Sequence, residues 1–381
     1  MTTRPKILAY YFPSWHKDSR NAQWFGTDWE EWELLKTATP RFPGHRQPRV
    51  PALGYQDDAD PRTFDVQIPL ATEHGVDGFI FDYYWYDDGP FLQRALDEGF
   101  LGSERNTDVE FAIMWANHEL TNIFPAARKD SQPTLKRGEI DREQFERMTD
   151  HVVEHYFSRP NYLKVDGKPW FSLYEVGRLV SGLGSLEATA EALRSFRDKT
   201  IAAGHPGLHV DAVLWGFGVL PAATMLPEPF DLIDQLGFLS ASSYVWIHHS
   251  DTLRSDFPQG DWLSVGRDAF EDYRRSAKAL DVPVYPNVTV GWDSSPRTSK
   301  AEEFSNGTYP WTPVWDGTPD EFRWGLEQAK EFLEEHPVDH PLVTVNAWNE
   351  WTEGSALLPD RDRGLAYLQA IHEVFGPAEK N

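Results

Sequence analysis

A chain of 381 residues with no cysteine and a formal net charge of −24 excludes several chemistries before any motif is read. Disulfides, thiolate metal sites and cysteine nucleophiles are unavailable, and an acidic surface repels polyphosphates and anionic lipid, which argues against nucleic-acid and membrane partners. Trp, Tyr and Phe make up 14% of the residues, an excess that suits both a large core and stacking on sugar rings.

From the N-terminus, MTTRPKILAYYFPSW lacks the pattern of a secretory signal, and no run approaches about 18 apolar residues, so a cytoplasmic enzyme is expected. An apolar run at 7–12 is the first predicted strand; a long connection, 13–60, follows with Trp15, Trp24, Trp29 and Trp32. A helix over 61–74 opens behind Asp60, a good N-cap, with proline at its first position. GFIFDYYWY marks a second strand at 78–85, then a short helix at 90–98. The third strand, 110–117, leads into a long connection reaching residue 140 and a helix over 141–157. A strand at 169–175, a helix at 185–203, a strand at 209–217 and a short helix at 221–230 come next. The sixth strand is predicted at 235–242, the seventh at 282–290 and the eighth at 342–348, with helices at 265–280, 319–335 and 362–375. A third long connection, 292–318, carries Trp311 and Trp315.

Eight alternations of strand and helix predict a (β/α)8 TIM barrel with long loops after strands 1, 3 and 7, forming one catalytic domain over residues 1–381. A doubly wound dinucleotide fold would need GxGxxG after the first strand, where this chain has FPSWHKD.

Ligands of such barrels bind at the carboxyl ends of the strands. The predicted ends carry Tyr11 and Trp15, then Asp82, Tyr84 and Trp85, then Trp115, Asn117, His118 and Glu119. Later ends add Tyr174 and Glu175, Tyr244, Trp246 and His248, and Trp292 with Asp293. Tryptophan recurs at most of them, as expected of a sugar-binding cleft. His248 and His249 are adjacent, so their side chains point apart, and no HxH or HExxH pattern accompanies them; no metal site is expected.

The richest segment is LVTVNAWNEWTEG, residues 342–354, where a buried-type strand runs into a loop bearing Asn349, Glu350, Trp351 and Glu353. Two carboxyl groups flanking one bond, with environments that separate their pKa values, suit glycoside chemistry. Trp348 and Trp351 bracket the first carboxylate and are expected to stack on a sugar or desolvate the acid. A second arrangement, with acid/base Glu175 after strand 4 and nucleophile Asp293 after strand 7, describes a double-displacement enzyme.

Five segments resemble glycoside hydrolase family 99 and, more closely, the WbsX-like proteins: ILAYYFPSWH at 7–16, GVDGFIFDYYWYDDG at 75–89, FAIMWANHELT at 111–121, YLKVDGKPWFSLYE at 162–175 and WNEWTEG at 348–354. The resemblance implies a retaining α-mannosidase-type barrel without cofactor. In it Glu350 is the base that helps the substrate 2-hydroxyl attack the anomeric carbon through a 1,2-anhydro sugar, and Glu353 is the general acid. His118 departs from the pattern, which commonly has Glu there, and LLPD follows the acidic loop in place of a run toward IEP. Three functions stand at this point: a glycoside hydrolase, a glycosyltransferase of polysaccharide synthesis, and a non-catalytic sugar-binding barrel. Oligomeric state is left open.

Overall fold

The computed structural model describes residues 4–128, 132–216 and 229–377. Eight strand positions form a closed parallel barrel: β1 (Lys6–Tyr11), β2 (Gly78–Tyr86), β3 (Glu110–Trp115), β4 (Lys168–Leu173), β5 (His209–Val213), β6 (Ser240–Ser242), β7 (Val284–Tyr285 and Asn287–Thr289) and β8 (Leu342–Asn346). β7 is in two pieces because Pro286 has no N–H to give the ladder. Its first piece pairs with β6 and its second with β8, and this closes the ring.

Each crossover returns along the outside: α1 (Pro61–Glu73), a π-helical turn at Ala95–Phe100, α2 (Arg142–Val152), α3 (Leu186–Ala202), α4 (Pro229–Leu236), α5 (Trp262–Ala279) and α6 (Pro319–Glu335), with α7 (Ala366–Phe375) after β8. The helix starts follow their capping chemistry. Asp60 accepts from the Arg62 amide with Pro61 at the first position, and Thr318 and Glu321 form a reciprocal capping box. No helix of the described residues is long and apolar enough to cross a membrane.

Two predicted elements shift. The segment 90–98 becomes a short strand, Gly89–Phe91, paired antiparallel with β2, followed by the π-helical turn. The start of the predicted sixth strand lies in α4, where Ile233 and Leu236, three apart, bury one helical stripe. Residues 221–228 of the predicted short helix, and Phe217 of the predicted fifth strand, lie outside the described residues.

Strand alternation divides the aromatic side chains between two layers. On β1 and β2, Tyr11, Phe79 and Phe81 point outward and meet Phe64 and Phe100 between sheet and helices. Asp82 and Tyr84 point inward. Deep in the barrel, Asp211 accepts from the hydroxyls of Ser172, Ser240 and Ser242 at 2.7, 2.6 and 2.6 Å. Burial pushes its carboxyl up to about 6 in spite of these three donors.

Candidate active site

The loop after β8 is shaped by backbone and side-chain ties that leave two carboxylates side by side. Asn349 accepts from the Phe12 amide at 2.8 Å and donates to the Phe12 carbonyl at 2.9 Å, pinning the loop to the end of β1. Residues Trp351–Glu353 form one 3-10 turn with Glu350 at its N-cap. Side chains three apart eclipse in that geometry, so Glu350 and Glu353 share a face. Gly354 ends the turn at φ +69°, and a Cβ there would lie 2.7 Å from Asp293 Cβ, so the position demands glycine.

Between the two carboxylates sits Arg297, from the long loop after β7. Its Nη2 donates to Glu350 Oε1 at 2.8 Å and its Nη1 to Glu353 Oε1 at 2.5 Å. The remaining donors go to Glu31 Oε1, at 2.8 and 3.2 Å, to Thr352 Oγ1 at 3.0 Å, and to the Tyr309 hydroxyl. The guanidinium lies between the rings of Phe12 and Phe124, each centroid 5.4 Å away. Tyr309 O–H also donates to Glu353 Oε1 at 2.5 Å. One oxygen of each glutamate is thus held from behind, and the Oε2 of each makes no hydrogen bond to the described residues.

Burial raises both carboxyls above the usual range, Glu350 well above it. Arg297 opposes the rise at both, and the Tyr309 hydrogen bond opposes it at Glu353 alone. Glu31 is held by the same guanidinium, and its charge adds to the rise at both glutamates.

These groups open on a narrow cavity at the carboxyl end of the barrel. Of the residues singled out from the sequence, Asp82, Tyr84, His118, Glu119, Tyr174, Tyr244, His248, Trp292, Glu350 and Glu353 line it. Asp82 Oδ2 accepts from Tyr244 O–H at 2.9 Å, and burial raises its carboxyl well above the usual range. Burial pushes the His118 imidazole down to about 4, so it is neutral near pH 7.

The other predicted contacts lie elsewhere, mostly because strand alternation turns them outward. Trp85 and Trp115 point into the helical layer, toward His151 and Phe145 respectively. Tyr11 is in the phenylalanine cluster outside β1, and Trp15 packs on Trp32 with ring centroids 4.0 Å apart. Trp246 packs against Trp262 and donates to the Asn287 carbonyl. Asn117 bonds both ways with the Glu175 backbone, at 2.9 and 2.7 Å, tying the ends of β3 and β4 as Asn349 ties β1 and β8. The tryptophans flanking Glu350 anchor the loop: Trp348 donates to Gln67 at 2.8 Å, and Trp351 lies near Trp32.

The alternative acid and nucleophile are likewise away from the cavity. Glu175 pairs with Arg178 at 3.1 Å. Asp293 accepts from His45, Gln47 and the Ser295 amide; burial opposes its charge, but His45 and Arg49 hold its carboxyl well below the usual range. His248 stacks on Trp215, and His249 bonds Ser243 and Asp272. No group of three or more His, Asp or Glu among the described residues is arranged to hold a metal ion.

Sequence reasoning missed Arg297, Tyr309 and Glu31. The one signal available was chemical: neighbouring buried glutamates require a cation, but nothing in the sequence says which loop supplies it.

A profile of the family described as Glycosyltransferase WbsX matches residues 7–371. The chain belongs to this family. It is 28% identical over 382 residues to the uncharacterized protein WxcX of two Xanthomonas campestris pv. campestris strains, across 97% of this chain and 49% of theirs. The chain therefore spans about half the length of the curated relatives it matches. Among solved structures it is similar to a glycoside hydrolase-like protein (TM-score 0.63, 12% identity, 98% of this chain and 94% of that one). It is also similar to the family 99 endo-α-mannosidase of Bacteroides thetaiotaomicron (TM-score 0.56, 14% identity, 96% and 95%). At such identities the likeness establishes the TIM-barrel fold.

Proposed function

We propose that the chain is a glycoside hydrolase, one catalytic domain without cofactor, that cleaves an α-linked, mannose-type oligo- or polysaccharide with retention. The observation that carries this reading is the pair itself: Glu350 and Glu353 stand on one face of a turn, each with one oxygen fixed by Arg297 and the other unbonded at a cavity. A pure binding site has no need of two desolvated carboxyls sharing protons.

In the reaction, Glu350 removes the proton of the 2-hydroxyl as that oxygen attacks the anomeric carbon, while Glu353 protonates the departing glycosidic oxygen. Water then opens the 1,2-anhydro sugar: Glu353 takes its proton and Glu350 returns one to O2. Burial raises both carboxyls above the usual range. A sugar 2-hydroxyl donating to Glu350 stabilises its anion and moves the shared proton to Glu353.

The test combines an α-linked oligosaccharide panel, product anomers followed by NMR, with kcat/KM of Glu350→Gln and Glu353→Gln on natural and activated aryl substrates. Glu353→Gln is expected to spare the activated substrate, because a general acid contributes typically 10²- to 10⁴-fold only where the leaving group needs a proton. Glu350→Gln loses both. Full activity in either variant rules out the pair.

The family's description favours a second reading, a glycosyltransferase. A nucleotide diphosphate donor needs uncommitted cations or amides, whereas Arg297, the arginine that lines this cavity among the described residues, has its donors engaged by carboxylates and hydroxyls. Turnover of a nucleotide sugar in place of water-dependent cleavage would decide for that reading.

A further inference from the structure

The cavity is lined by more carboxyl groups than cations. Asp82, Glu119, Glu350 and Glu353 line it together with the single guanidinium of Arg297. That guanidinium is committed to Glu31, Glu350 and Glu353. Glu119 pairs with Arg178, which serves two other carboxylates as well. The two imidazoles facing the space, His118 and His248, are kept neutral by burial. Asp82 is left without a counter-charge of its own. It is 4% exposed, and while its Oδ2 takes the Tyr244 hydroxyl, its Oδ1 has no partner. Buried oxygens of this kind are normally hydrogen-bonded, so Oδ1 has acceptor capacity left for a donor. Tyr84, Tyr174 and Tyr244 line the same cavity, and aromatic rings attract cations through their quadrupoles.

We propose that Asp82 and the surrounding tyrosines form a subsite for a protonated amino group, so that the glycan acted on carries a free amino sugar. A neutral hydroxyl fills the Oδ1 bond but brings no charge to oppose the desolvation that raises the Asp82 carboxyl, and a uronate or phosphate brings a further anion. The subsite rests on the glycosidase reading, and that reading restricts it further. A 1,2-anhydro route consumes the 2-hydroxyl of the reacting sugar, so the amine sits at C3, C4 or C6 of that sugar. An N-acetylated amine does not qualify, since acetylation removes the charge.

The experiment is calorimetric binding at pH 7 of methyl α-mannoside, its 3-, 4- and 6-amino-deoxy forms, their N-acetyl derivatives and the 6-carboxylate, to the wild-type chain and to Asp82→Asn. At least one amino form is expected to bind about tenfold or more tightly than the parent mannoside, with acetylation erasing the gain and the carboxylate binding more weakly than the parent. Asp82→Asn is expected to erase the gain, since an amide keeps the shape and loses the charge. The wild-type comparison stands even where the variant fails to fold. Equal binding of parent and amino forms overturns the subsite and leaves the hydrolase reading intact. An amino preference that persists in Asp82→Asn also overturns it, by placing the amine on Glu350 and Glu353. Binding of no mannoside at all overturns the subsite and the mannose-type reading together.

Discussion

Replacing Tyr309 with Phe separates the roles of the two glutamates through the pH dependence of kcat/KM. The Tyr309 hydroxyl donates to Glu353 Oε1 at 2.5 Å in a fully buried setting, and it gives no hydrogen bond to Glu350. A hydrogen bond to a charged acceptor contributes about 1.5–3 kcal/mol. Because one pKa unit corresponds to about 1.4 kcal/mol, its loss raises the carboxyl of Glu353 by about one to two units. The sign follows from which form the donor favours. Tyr309 stabilises the carboxylate, so without it the proton is held to higher pH. A general acid must be protonated; hence the alkaline limb of the free-enzyme profile moves up by about one to two pH units and the acidic limb stays in place. Arg297 remains bonded to both glutamates in the variant, which preserves the geometry of the pair. The assay is kcat/KM against pH for the wild type and the variant on one oligosaccharide. An upward shift of the acidic limb instead would exchange the roles, making Glu353 the base. No shift of either limb would show that the Tyr309–Glu353 contact is absent from the working enzyme.

Trp115→Ala is expected to destabilise the fold by about 3–5 kcal/mol with KM unchanged, because the side chain is buried against Phe145 outside the barrel; a changed KM with intact stability would refute the outward placement. Asp211→Asn is expected to flatten the pH dependence of stability. With its folded pKa raised to about 6 against about 3.9 unfolded, the folded chain holds a proton that the unfolded chain has released. The wild type therefore loses roughly 3 kcal/mol as pH rises from about 4 to 6 and the variant does not; parallel urea-unfolding curves across that window would contradict this. Gly354→Ala is expected to lower kcat about 100-fold, since its Cβ would meet Asp293 at 2.7 Å and push Glu353 out of place. Thermal unfolding alongside kinetics checks that the loss exceeds any change in the folded fraction.

Short apolar runs alternating with capped helices were enough to read the barrel, because parallel strands covered on both faces and right-handed crossovers leave few other closures. The candidate pair was legible for a similar reason: WNEWTEG follows a buried strand within a few residues, so its carboxylates have to emerge at the strand's end. The facing of side chains was not legible. In GFIFDYYWY all nine residues of β2 are buried, so burial alone cannot tell Asp82 and Tyr84, inside, from Tyr83 and Trp85, outside. A shift of one residue exchanges the two sets, and only the register against β1 and β3 settles it. The chain likewise carries no local mark that Glu31, Arg297 and Tyr309 meet at Glu350 and Glu353. They come from two loops more than 250 residues apart, and their contact exists only once the ring of strands closes and brings the connections after β1 and β7 to the same rim. Local pattern determined the elements, since periodicity and capping act within a few residues. Tertiary structure decided the charge balance of the site, because Coulomb and desolvation effects depend on distance in space and on exclusion of water.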